Sequence, residues 1–177
     1  MTEYISSDTN VWIDFDVIDA TDLPFRLPVT YVMWSDAVED EVCSPTGLKD
    51  SLLKAGLVAV KLTTDEFFLA SDYGDRYPGL SGYDSVALSI AKCREITLMT
   101  GDMRLRKAAV KEGVAVTGTI GVVDRLLAEG LTDENEYRDI VQRLLDANGG
   151  VVRLPEDELR KRLDAPVAEI PMEEVGI

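Results

Sequence analysis

A chain of 177 residues, 46% of them apolar, fits one globular domain of ordinary size with a real core. It contains no histidine and carries a net charge of −15, which excludes a histidine-based triad, all but excludes a zinc site, and argues against a broad basic surface that grips nucleic acid. General acid–base work then falls to carboxylates or to water held on a divalent metal.

From Glu3 to Ser7 the chain reads as a short strand that ends in Asp8, Thr9 and Asn10. An amphipathic helix begins at about Asn10, with Val11, Trp12, Phe15 and Ile18 on its apolar positions. Thr21 to Pro28 is a loop, since Pro24 and Pro28 break any helix. Val29 to Trp34 is a second strand. Ser35 reads as the N-cap of a helix from Asp36 to Cys43, ended by Pro45. Thr46 to Ala55 is a helix closed by Gly56, and Leu57 to Leu62 a third strand. Thr63-x-x-Glu66 is a capping box opening a helix to Ser71, followed by a loop from Asp72 to Ser81.

Gly82 to Cys93 is apolar nearly all round, so it is a helix buried on more than one side. Ile96 to Met99 is a strand ending in Thr100-Gly101-Asp102. A basic helix from Met103 to Glu112 follows, then a fifth strand from Val114 to Thr117 and a helix ending near Gly130. Thr132 to Asn148 and Pro155 to Leu163 are two more helices. The tail from Ala165, with Val167, Ile170, Met172 and Val175, reads as either disordered or an extended arm able to dock on another chain by strand addition. Five short strands alternating with helices predict an α/β sandwich around a largely parallel sheet. The domain spans 1–131, a C-terminal helical appendage 132–164, and the tail 165–177.

No apolar run approaches a membrane span, and Met-Thr-Glu-Tyr lacks the features of a secretory leader, so a cytoplasmic protein is expected. Cys43 and Cys93 read as small core fillers. Six of the 18 basic residues (Lys92, Arg94, Arg104, Arg106, Lys107, Lys111) fall between positions 92 and 111. They are either a solvated helix face or a patch that steers phosphate.

Asp8 and Asp102 both end strands and open helices, which puts them on the carboxyl edge of the sheet, where ligands of open α/β folds sit. In the Ser35 helix, Val38 and Val42 mark the buried side, so Glu41 is the acid best turned inward, with Glu39 and Asp40 as alternatives. Asp84 heads the apolar helix, and Ser81-x-x-Asp84 also reads as a capping box. Carboxylates gathered without a counter-ion raise each other's pKa. A hard cation such as Mg²⁺ or Mn²⁺ relieves that conflict and supports attack of water on a phosphodiester.

These residues together (Asp8-Thr-Asn10, Ser35 with Glu41 six residues on, Asp84 before an Ala/Leu-rich helix, Thr100-Gly-Asp102, and Gly113-Val-Ala-Val-Thr-Gly118-Thr-Ile-Gly121) resemble the PIN domain over roughly residues 3 to 130. The resemblance implies an α/β fold that is a three-layer α/β/α sandwich with a five-stranded parallel sheet, and a metal-dependent nuclease, usually an endoribonuclease, as in the toxins of toxin–antitoxin pairs. It implies Asp8, Glu41, Asp84 and Asp102 as ligands of Mg²⁺ or Mn²⁺, with Asn10 and Thr100 orienting ligands or water. Lys92, Arg94, Arg104 and Arg106 would then bind RNA, single-stranded or structured. The expected partners are RNA, an antitoxin or other protein and a second copy of the chain, with no membrane. The alternative is a catalytically weak PIN-like module that works through protein partners. Strong acidity and the extra C-terminal helices depart from the family pattern.

Overall fold

Short β-branched segments and amphipathic ones alternate along the chain, and each pair folds one strand against one helix or more. The computed structural model describes residues 2–42 and 46–170. Its strands are β1 (Glu3–Ser7), β2 (Val29–Trp34), β3 (Val58–Val60), β4 (Thr97–Met99) and β5 (Val116–Thr117). They form one sheet in the order β3-β2-β1-β4-β5, every pair parallel, as the sequence predicts. The chain runs outward from β1 to β3, then returns to lay β4 on the other side of β1. The order therefore reverses between β1 and β4, and a crevice at the carboxyl ends of those strands is where such sheets bind ligands. Ser7 is in register with Met99, so Asp8 and Thr100 leave the sheet side by side.

The helices are α1 (Thr9–Val17), α2 (Ser35–Asp40), α3 (Leu48–Ala55), α4 (Thr64–Arg76), α5 (Gly82–Cys93), α6 (Met103–Lys111), α7 (Thr119–Ala128), α8 (Glu134–Ala147) and α9 (Glu156–Asp164). Alternation along the strands splits the core in two. Ile5, Tyr31, Met33 and Met99 join Trp12, Phe15, Leu126 and Ile140 from α1, α7 and α8. Leu98 and Val116 join Leu88, Leu105 and Ala108 from α5 and α6 on the other face. Trp12 stacks on Phe25 and meets Tyr31 edge-on at centroid distances of 5.2 and 5.1 Å, which holds α1, and with it Asp8, against the sheet.

Several local expectations give way to tertiary packing. The helix opened by the Thr63–Glu66 capping box does not stop at Ser71 but continues to Arg76. Tyr73 is fully buried in the extra turns, and that outweighs the roughly 1 kcal/mol Gly74 costs inside a helix. Pro24 opens a 3₁₀ turn, Leu23–Arg26, where its missing N–H is not needed. Ser35 does not cap α2: the N-cap is Trp34, and the Ser35 hydroxyl bonds Asp36 Oδ1 instead. The helix ends at Asp40, so the expected end at Cys43 and the stop at Pro45 lie outside the described residues. Cys93 is exposed rather than a core filler, because the buried face of α5 ends at Ala91. Ile170 packs into the protein's own core, at 6% exposure, instead of on an outward arm; Met172 and Val175 lie outside the described residues.

Tyr137, Ile140, Val141 and Leu144 of α8 enter the main core, and α9 is tied down by a buried ion pair. Arg162 of α9 forks onto Asp124 of α7, its Nη2 2.8 Å from Oδ2, while the Tyr137 hydroxyl donates to Oδ1 at 2.8 Å.

A second buried acid, Asp14 of α1, accepts a 2.6 Å hydrogen bond from the Thr119 hydroxyl at the start of α7. Burial pushes its carboxyl up to about 6, against the lowering by Thr119. The folded state then holds this proton more tightly than the unfolded one. Stability should therefore fall as pH rises from about 4 through 6, by an amount on the order of 2–3 kcal/mol, and stay flat above. Asp14→Asn, which keeps an acceptor for Thr119, should be more stable than the parent at pH 8 and lose that advantage at pH 4. Urea melts at the two pH values measure this, and an equal effect at both would exclude ionisation as the cause.

Candidate active site

The site grows from the end of β1. Asp8 is the N-cap of α1 with extended backbone, and its Oδ1 accepts the Thr9 N–H at 2.7 Å. Its Oδ2 accepts the Thr100 hydroxyl at 2.8 Å, across the β1–β4 reversal. Asp8 is buried, and burial drives its carboxyl up to about 7. The Thr100 hydrogen bond lowers it, the charge of Asp84 raises it, the Thr9 N–H lowers it, and Glu41 raises it further.

The other three acids arrive from three separate segments. Glu41 follows the last turn of α2, and its Oε2 accepts the Thr9 hydroxyl at 3.0 Å, one residue from Asp8. Its carboxyl is raised, by burial above all, then by Asp84 and Asp40, with Thr9 opposing. The two neighbouring acids go elsewhere. Glu39 pairs with Lys49 at 2.9 Å, and Asp40 accepts the Tyr83 hydroxyl at 2.7 Å. Asp84 completes the capping box with Ser81: its Oδ2 accepts the Ser81 N–H at 2.7 Å, and its own N–H donates to Ser81 Oγ at 3.0 Å. Capping and proximity to the acids coexist here, since Asp84 acts on both Asp8 and Glu41.

Asp102 caps α6, its Oδ1 accepting the N–H groups of Arg104 and Leu105. Its own N–H donates to Thr100 Oγ1 at 3.0 Å, so one threonine links Asp8 to Asp102. Asn10 Oδ1 accepts the Gly101 N–H at 2.9 Å and pins the turn between β4 and α6 to α1.

These side chains suit a hard cation in kind. Every candidate donor is a carboxylate oxygen, and the acids repel one another. Among the described residues no group of three acidic or cysteine side chains forms a ready cage. A crevice of about 10 Å³ lined by Asp8, Glu41, Trp34 and Tyr83 has room for one water-sized species.

The basic residues divide into two pairs. Lys92 and Arg94 lie at the far end of α5, about 12 Å or more along the axis from Asp84, and do not join the acids. Lys92 Nζ donates to the Glu112 carbonyl, and Arg94 clamps the buried Glu66 at 2.6 and 3.1 Å. Arg104 and Arg106, in the first turn of α6, sit beside Asp102, and Arg106 donates to the Thr100 carbonyl at 3.2 Å. Arg106 also lines a cavity of about 750 Å³ between the β4–α6 and β5–α7 turns and the loop joining α8 to α9.

Sequence reading passed over three residues at this site. Thr9 lies inside the run Asp8-Thr9-Asn10 and orients Glu41; Trp34 ends β2; Tyr83 precedes Asp84. For Thr9 and Tyr83 the signal was adjacency to Asp8 and Asp84; for Trp34 it was only its place at the carboxyl end of a strand.

A family model described as PIN domain matches residues 4–165, a span that includes α8 and α9. The helices that looked like a departure therefore fall within the family match. No curated protein and no solved structure matches the chain. Among the described residues no helix is long and apolar enough to cross a membrane.

Proposed function

The chain belongs to the PIN domain family, a nuclease fold, and on that premise we propose that it is a metal-dependent endoribonuclease acting through Mg²⁺ or Mn²⁺. One observation carries the reading. Asp8, at the end of the central strand, has its carboxyl raised to about 7, by burial first and then by the charges of Asp84 and Glu41, a conflict that a proton or a cation relieves. Asp8 and Glu41, with Asp84 at the lip and Asp102 across Thr100, would hold the ion. When bound, a divalent cation supplies positive charge to the scissile phosphate and acidifies the attacking water.

The protein's own residues do the positioning. Thr100 fixes the Asp8 carboxylate while accepting the Asp102 N–H, so the two acids keep one relative orientation. Thr9 does the same for Glu41, and Asn10 keeps the β4–α6 turn from swinging away. Arg104 and Arg106, in the first turn of α6 beside Asp102, would meet phosphate on that side. The finer reading, the toxin of a toxin–antitoxin pair, rests on the family resemblance. A small DNA-binding antitoxin encoded beside it is the expected neighbour.

One observation favours the alternative of a catalytically weak module with protein partners: Asp84 and Asp102 are both committed to helix caps. Activity decides between them. Single-stranded RNA should be cut in Mn²⁺ or Mg²⁺ and spared in EDTA. Asp84→Asn, which retains a capping oxygen, should lose on the order of a hundredfold in rate at unchanged melting temperature. A preparation that cuts RNA equally well in EDTA, or whose Asp84→Asn form is fully active, would refute the proposal.

A further inference from the structure

Beside the acid crevice lies a second cavity, of about 490 Å³, walled by Trp34, Phe67, Tyr83, Leu62, Leu80 and Val86. Trp34 and Tyr83 line both, so the two spaces share a wall. Their rings stand 5.7 Å apart with planes tilted by 45°, and the Tyr83 hydroxyl is anchored on Asp40. Phe67 is 60% exposed at the mouth. Among the described residues no charged one lines this cleft, although the chain as a whole carries 33 acidic and 18 basic side chains.

We propose that this cleft binds an unstacked nucleobase of single-stranded RNA, the base next to the phosphate held at the acid crevice. The inference rests on the nuclease reading and adds how the substrate is gripped. A nucleobase is the planar, uncharged part of RNA, and aromatic rings stack on any base without reading its sequence. The proteins that bind RNA through basic surfaces gain affinity by releasing counter-ions. A chain of net charge −15 has little of that to draw on, so contact with bases is the route left open. The shared wall sets the spacing: a base against Trp34 and Tyr83 leaves its phosphate facing Asp8 and Glu41. Duplex RNA keeps its bases stacked and does not enter.

The test crosses two removals. Wild-type protein and Trp34→Leu are compared on a short single-stranded RNA and on the same RNA with one abasic position next to the cleavage site. Trp34→Leu should raise KM about tenfold on the intact strand, the size of one base–aromatic contact. On the abasic strand it should change almost nothing. Tyr83→Leu should behave likewise, and Tyr83→Phe, which keeps the ring, should recover most of the loss. Equal effects of Trp34→Leu on both strands overturn the inference while leaving the nuclease reading intact.

If the wild type cuts no RNA at all, the nuclease reading fails and the cleft is judged by binding in Ca²⁺. Trp12 is fully buried, so quenching of tryptophan emission reports Trp34. Quenching by the intact strand but not by the abasic one supports the cleft; quenching by neither overturns it. The slope of log affinity against log salt should be shallow, no steeper than about −2.

Discussion

Asp8→Asn is expected to lower RNA cleavage roughly a thousandfold or more and, at the same time, to make the protein more stable above pH 7. The two effects share one cause. The Asp8 carboxyl is raised to about 7, first by burial and then by Asp84 and Glu41, against the hydrogen bonds from Thr100 and Thr9. Its folded-state affinity for the proton exceeds that of the unfolded chain, so stability is fully present below about pH 4 and declines as pH rises through 7. Keeping the ionised form in place above that window costs on the order of 4 kcal/mol without a cation.

Asparagine removes the charge but has a single carbonyl, so one of the bonds from Thr9 and Thr100 is lost, about 1 kcal/mol. The expected net gain is about 3 kcal/mol at pH 8, absent at pH 4. Mn²⁺ or Mg²⁺ should raise the melting temperature of the wild type and not that of the variant. Denaturant melts at both pH values, with and without metal, give the answer. A variant less stable than the wild type at pH 8 would make Asp8 a structural cap and withdraw it from the site.

The second large effect is expected far from the acids. Arg162→Met should destabilise the protein by about 3–5 kcal/mol, because it leaves Asp124 buried without its partner. Both side chains are almost wholly enclosed, at 3% and 2% exposure, and the guanidinium makes three contacts of 2.8 to 3.1 Å with the two Asp124 oxygens. In a chain of this length the loss corresponds to roughly 10 °C or more in melting temperature. The double variant Asp124→Asn/Arg162→Met should recover much of it, since no unpaired charge then remains. A double variant as unstable as the single one would mean that the pair acts by packing α9 and not by charge. The Arg162–Asp124 bridge joins α9 to α7, beside the buried Leu159 and the Arg138 bonds to the Leu163 and Ala165 carbonyls, so fraying of the C-terminal helix should accompany the single substitution. Amide exchange over α9 would show it.

Much of this was written locally. Each strand was legible because β-branched residues cluster in short runs bounded by glycine, proline or acids, and the last apolar residue of each run tells where the carboxyl edge lies. That is why Asp8 and Asp102 could be placed on one edge without coordinates. Glu41 was legible from the i, i+4 spacing of Val38 and Val42, and the capping boxes at Thr63 and Ser81 appear as read. The basic patch was not legible. Lys92 and Arg94 are close to Arg104 in sequence, but a twelve-residue helix carries them to the opposite end of the sheet. Linear nearness across a helix is no guide to shared location.

What the sequence determined by itself was the class of fold, the chemistry open to a chain with carboxylates and no histidine, and the edge on which its acids emerge. All of these follow from periodicity and composition, which act over a few residues. Only the tertiary structure decided that Thr100 would hold Asp8 and Asp102 together, that Thr9 would take Glu41 in preference to Glu39 or Asp40, and that Trp34 and Tyr83 would wall both the crevice and the cleft beside it. The contacts Thr9–Glu41, Trp34–Tyr83 and Asp8–Thr100 join positions 32, 49 and 92 residues apart. Their formation depends on which strand lies next to β1, and no local pattern encodes that.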